Sequence, residues 1–141
     1  MKNFKKIVTL LLILAVLFSV MGCNKNTEKN LWDDAIYTED TVLGQGSKIL
    51  TIVFTCEEKT ITFTINTDKQ TVGEALFEHS LIEGDQGAYG LYVKKVNGIT
   101  ADYDVNQAYW GFFQNGEYMM TGVDTTNFES GQSYELIYTK G

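Results

Sequence analysis

Between residues 48 and 67 apolar and polar side chains alternate strictly. Leu50, Ile52, Phe54 and Cys56 fall on one face of the first run and Ile49, Thr51, Val53 and Thr55 on the other; in the second, Ile61, Phe63 and Ile65 alternate with Thr60, Thr62 and Thr64. A period of two with threonine on the outer side predicts half-buried strands at 48–56 and 59–67, joined through Glu57 and Glu58 as a hairpin. The period then lengthens. Val72, Ala75, Leu76 and His79 recur at helical spacing, and Thr71 with Glu74 forms a capping box, which predicts a helix over 72–81. Gly84, Asp85 and Gly87 break it. Strand-like runs return at 89–96, 109–114 and 133–140, the first two ending on Asn97-Gly98 and Asn115-Gly116. Both residues of an Asn-Gly pair tolerate the positive φ of a type I′ turn, so each pair predicts a hairpin. The order β-β-α-β-β-β, with one or two further short strands, predicts an α+β fold over 48–141: a mixed β-sheet with one helix packed across it, of the β-grasp kind.

The chain before residue 48 is patterned differently. Lys2, Lys5 and Lys6 precede an apolar run at 7–18, broken only by Thr9 and shorter than the ~20 residues that cross a bilayer, and the run closes on Ser19-Val20-Met21-Gly22-Cys23. This reads as an export signal over 1–22. Its end resembles the lipobox of bacterial lipoproteins, in which the cysteine receives diacylglycerol; Met21 is bulkier than that pattern prefers, and the alternative is a plain secretory signal with an incidental Cys23. Acylation of Cys23 with two or more chains would hold the protein stably on the extracytoplasmic face of the cell membrane. Residues 24–47 are polar and acidic and read as a tether. Leu31, Trp32, Ile36 and Tyr37 within it leave open that the segment docks on the domain or on a partner.

Composition narrows the chemistry. The formal net charge is −7; Lys2, Lys5 and Lys6 precede Cys23 and every acidic residue follows it, so the body downstream is more acidic still. Such a balance disfavours nucleic acid and anionic lipid surfaces as partners. The chain contains no arginine, which removes the planar fork used to grip phosphate and carboxylate. With Cys23 acylated, Cys56 is left without a disulfide partner, and on its apolar face it reads as a small buried hydrophobe ahead of a nucleophile.

The densest chemical signal is aromatic. Tyr89, Tyr92, Tyr103, Tyr109, Trp110, Phe112, Phe113 and Tyr118 lie close together, and a tight Asn115-Gly116 turn sets Phe113 opposite Tyr118 and Phe112 opposite Met119. Trp110, Phe112 and Met119 then share one side of the hairpin and Tyr109, Phe113, Tyr118 and Met120 the other. The helix covers one side only; the second is either a binding surface or is covered by loops and Trp32. Other candidates are weaker. Asp102, Asp104 and Asn106 have the opening spacing of an EF-hand loop, but Gln107 and Phe113 stand where glycine and glutamate are required, so a solvated acidic loop is the simpler reading. His79 has no companion at metal-ligand spacing and reads as a core or edge residue. No catalytic triad assembles, and no enzyme activity, cofactor or metal is expected.

Taken together, Thr71-Val72-Gly73-Glu74-Ala75-Leu76, the run Tyr89-Gly90-Leu91-Tyr92-Val93 leading to Val96-Asn97-Gly98, Tyr109-Trp110-Gly111-Phe112-Phe113-Gln114-Asn115-Gly116-Glu117, Gly122-Val123-Asp124 and the turn at Gly131 resemble the DUF4430 domain, also described as transcobalamin-like C-terminal. In transcobalamins and intrinsic factor the related domain closes over cobalamin bound to a helical barrel. The resemblance thus implies a small lipoprotein that binds, without catalysis, a corrinoid or another large planar ligand and hands it to a vitamin transporter. It implies ligand contacts at Tyr89, Tyr92, Tyr109, Trp110 and Tyr118. The large helical domain has no counterpart in this sequence. The alternative is a protein-interaction module of the cell envelope with no small-molecule ligand.

Overall fold

A computed structural model describes residues 28–141; the export signal expected over 1–22 and the lipidation expected at Cys23 lie outside the described residues. The strands are β1 (Thr41–Gly44), β2 (Lys48–Cys56), β3 (Lys59–Thr67), β4 (Ile82–Gly87), β5 (Gly90–Val96), β6 (Ile99–Thr100), β7 (Ala108–Gln114), β8 (Glu117–Tyr118) and β9 (Ser133–Lys140). Two helices interrupt them, α1 (Val72–Glu78) and α2 (Tyr103–Asn106).

The β2–β3 hairpin turns at Glu57-Glu58 and keeps one register from Lys48–Thr67 to Cys56–Lys59. It lies within a six-stranded mixed sheet of order β1-β3-β2-β9-β7-β8, in which β1–β3 and β2–β9 are parallel. The remaining strands form a separate antiparallel sheet, β4-β5-β6. The α+β class holds, but the strands divide between two sheets because residues 82–87, which contain the break expected at 84–87, supply β5 with a partner. A bulge at Glu83/Gly84 carries the glycine-rich stretch through the pairing, and a side chain at Gly84 would collide with the carbonyl of Tyr92.

Both Asn-Gly pairs adopt positive φ, 51° and 81° at Asn97-Gly98 and 52° and 77° at Asn115-Gly116. Helix α1 starts on the expected capping box. It stops earlier than its apolar spacing suggests. Ser80 takes the left-handed conformation, its N–H bonds the carbonyl of Phe77, and the N–H of Leu81 bonds that of Leu76. This is a Schellman closure without the usual glycine, which leaves no mark in the sequence.

One face of the large sheet, with Leu50, Ile52, Phe54, Ile65 and Leu136 fully buried, packs against Val72, Ala75 and Leu76 of α1 and Val96 and Ile99 of the small sheet. The opposite, threonine-rich face remains half-exposed.

The segment read as a tether joins the body from residue 31 onward. Leu31–Asp34 form a turn of 3-10 helix, and Trp32 sets its ring edge-on to Phe54 at 5.5 Å while its Nε1 donates to the carbonyl of Cys56. Asn97, wholly buried, then seizes the chain: its Oδ1 accepts from the N–H of Tyr37 at 2.9 Å and its Nδ2 donates to the Tyr37 carbonyl at 2.8 Å. β1 follows and pairs with β3. The folded body therefore begins well before residue 48, because Leu31, Trp32 and Tyr37 are drawn into the core margin while Ile36 stays exposed.

Candidate functional site

β5 of the small sheet lies against β7 of the large one, and the gap between them opens into a groove of about 420 Å³. The β4–β5 turn contributes Tyr89, β5 contributes Leu91, Tyr92 and Val93, and α2 contributes Tyr103; β7 supplies Tyr109, Trp110 and Phe112. The far wall is Tyr118 of β8 and the loop from Met119 to Val123. Trp110 and Phe112 are each only 7% exposed, whereas Tyr89 and Met120 on the rim are 95% and 92% exposed. The floor belongs to the core and the rim to solvent.

Ring packing fixes the floor. Trp110 lies 5.1 Å from Phe54 and 5.5 Å from Tyr138, and Phe112 stacks on Tyr134 at 5.5 Å. Phe113 meets Tyr118 edge-to-face at 5.2 Å across the Asn115-Gly116 hairpin, in the register the sequence indicates. The indole Nε1 of Trp110 is buried and has no hydrogen-bond partner among the described residues.

Asp124 joins the two walls. Its Oδ1 accepts from the N–H of Leu91 at 2.9 Å and its Oδ2 from Nε2 of Gln86 at 3.1 Å. Burial opposes ionisation of this carboxyl, but the bonds from Leu91, Gln86 and the amides of Asp124 and Thr125 outweigh it and hold its pKa below the ordinary 3.8. Gly90 and Gly122 leave room for the carboxylate, which would stand 2.8 and 2.7 Å from a Cβ at either position.

The five tyrosine and tryptophan positions drawn from the sequence, Tyr89, Tyr92, Tyr109, Trp110 and Tyr118, line this one groove, although Tyr109 and Trp110 start from opposite faces of β7. Sequence reasoning did not select Tyr103, Met120 or Asp124; Tyr103 stands among the clustered aromatics, whereas the bonds of Asp124 span distant segments. Other candidates lie elsewhere. His79 ends α1 under Gly44, with a buried, unpartnered Nε2 3.9 Å from Glu78. Asp102 and Asn106 are engaged locally: Asp102 caps the N–H of Asp104 and also meets Lys94 of β5 at 3.4 Å, and Asn106 bonds the N–H of Asp102 and the carbonyl of Thr100. Among the described residues no group of three or more His, Cys, Asp or Glu side chains could hold a metal ion. Cys56 is fully buried, which, with Glu57 nearby, pushes its thiol up to about 11.

Residues 69–140 match the family model of DUF4430, a domain of unknown function. The chain belongs to the DUF4430 family. The matched segment begins just before α1 and contains the whole groove, so the family's domain is the groove's scaffold, while β1–β3 complete the sheet from outside it. Among solved structures, a candidate metal-binding protein from Ruminococcus gnavus is 31% identical with a TM-score of 0.62, over 67% of this chain and 99% of that one. Haptocorrin in complex with Cbi is 16% identical with a TM-score of 0.49, over 66% of this chain and 25% of its own. No curated protein matches the chain.

Proposed function

We propose that this DUF4430 protein is a lipid-anchored, extracytoplasmic binding protein whose groove takes up a corrinoid or another large flat ligand and passes it to a membrane transporter. The observation that carries the reading is the groove itself: five tyrosines and a tryptophan converge on one open cleft whose floor is packed and whose rim is exposed. Aromatic faces of this kind favour flat, ring-bearing ligands, and a groove open to solvent suits capture and release better than permanent enclosure. The corrinoid comes from the family resemblance. The anchor comes from the pattern ending at Cys23, and the protein then needs no catalytic apparatus of its own.

Titration calorimetry of the full chain in mild detergent with cobalamin and cobinamide tests the ligand. Heat with a visible spectral change, lost in Trp110→Ala and Tyr118→Ala, is expected. Absence of both at millimolar ligand, which limits affinity to about −4 kcal/mol, removes the corrinoid. Labelling with radioactive palmitate, abolished by Cys23→Ser, tests the anchor.

A further inference from the structure

We infer that the groove selects its ligand by charge, admitting neutral and cationic flat rings and rejecting anionic ones. The inference rests on the groove being the binding site for such a ring. Among the described residues, none that lines it carries a charge at neutral pH. In a chain with 18 acidic residues and a net charge of −7, that is a segregation with electrostatic consequences.

The charges that stand just behind the walls are unfavourable to an anion. The carboxylate of Asp124 lies against Gly90 and Gly122, and Gly122 forms part of the groove wall. Lys94 holds its ammonium 5.8 Å from the ring of Tyr92, but two carboxylates claim it, Asp85 at 2.8 Å and Asp102 at 3.4 Å. An incoming carboxylate would lose water against aromatic faces, meet no cation among the described lining residues, and face like charge through the wall; an amide in the same place loses far less. A positive ligand meets the opposite balance, because tyrosine and tryptophan faces attract cations. The phenol hydroxyls at the rim bond amide and carboxylate oxygens alike and so do not discriminate.

A matched pair of corrinoids separates this from the binding reading. Dicyanocobinamide carries amide side chains on the ring, and cobyrinic acid carries carboxylates in their place. Titrated into the full chain at low ionic strength, cobyrinic acid is expected to bind at least about tenfold more weakly than cobinamide, with the gap closing as salt is raised. In Met120→Lys, which adds a cation on the exposed rim without touching the floor, the gap should narrow. Equal or tighter binding of cobyrinic acid, or a gap indifferent to salt and to Met120→Lys, overturns the charge selection and leaves the groove as a binding site. Failure of both ligands to bind removes the corrinoid as the groove's ligand, and the selection among corrinoids with it.

Discussion

Removing the carboxylate of Asp124 should loosen the groove and the fold together. The side chain accepts two hydrogen bonds from outside its own loop, at 2.9 Å from the N–H of Leu91 and 3.1 Å from Gln86, and the first of these is partly buried. A hydrogen bond to a charged group contributes about 1.5–3 kcal/mol, and a buried donor left without a partner costs about 1–3 kcal/mol. Gln86 is exposed enough to turn to water, so Leu91 dominates, and Asp124→Ala should lower unfolding free energy by about 2–4 kcal/mol. Asp124→Asn keeps an oxygen for Leu91 and should lose less. The sign of the pH effect follows from the depressed pKa: the stabilisation is complete above the ordinary 3.8 and is lost as pH falls through the lower folded value. Urea unfolding followed by tryptophan fluorescence, repeated from neutral to acidic pH, measures both. Wild type should lose more stability on acidification than Asp124→Asn, and ligand affinity should fall in Asp124→Ala beyond the effect of any unfolded fraction. An Asp124→Ala protein within about 0.5 kcal/mol of wild type would refute the reasoning, since surface changes alone span that range.

Asn97→Ala strips both side-chain bonds from Tyr37 in a buried setting and leaves a non-glycine, non-asparagine residue at φ 51°. The cost should reach about 3 kcal/mol by denaturant unfolding, and a loss under about 1 kcal/mol would show that the N-terminal segment is held elsewhere. Cys56, fully buried with its thiol at about 11, should resist a thiol reagent at neutral pH until the protein unfolds; rapid labelling of the native state would contradict its burial.

The strands with clean alternation, the capping box at Thr71 and the two Asn-Gly turns were readable because each rests on contacts a few residues apart. The end of α1 was not, since Ser80 adopts a conformation normally reserved for glycine. Residues 82–87 became a strand only because β5 offered a partner, and glycine there serves the close approach of Tyr92 and not a break. The docking of residues 31–44 was half visible: apolar side chains in a polar stretch marked it, but Asn97, which holds the backbone of Tyr37, read as nothing more than a turn residue. At the groove, aromatic crowding along the chain was enough to pick out five of the lining residues, Tyr89, Tyr92, Tyr109, Trp110 and Tyr118. What fastens the walls was not, because Asp124, Leu91 and Gln86 meet only after two sheets have packed.

The central pairing of the large sheet joins Thr51 to Ser133 and Ile52 to Tyr134, so the strand at the middle of the protein waits for the one made last among those described. Until it arrives, the inner edge of the early hairpin lacks its backbone partner, although the helix and the small sheet can already lie against its apolar face. A long-range parallel pairing of this kind is slow to form, and the strand edge left open in the meantime exposes the chain to proteases or clumping if the final strand is delayed.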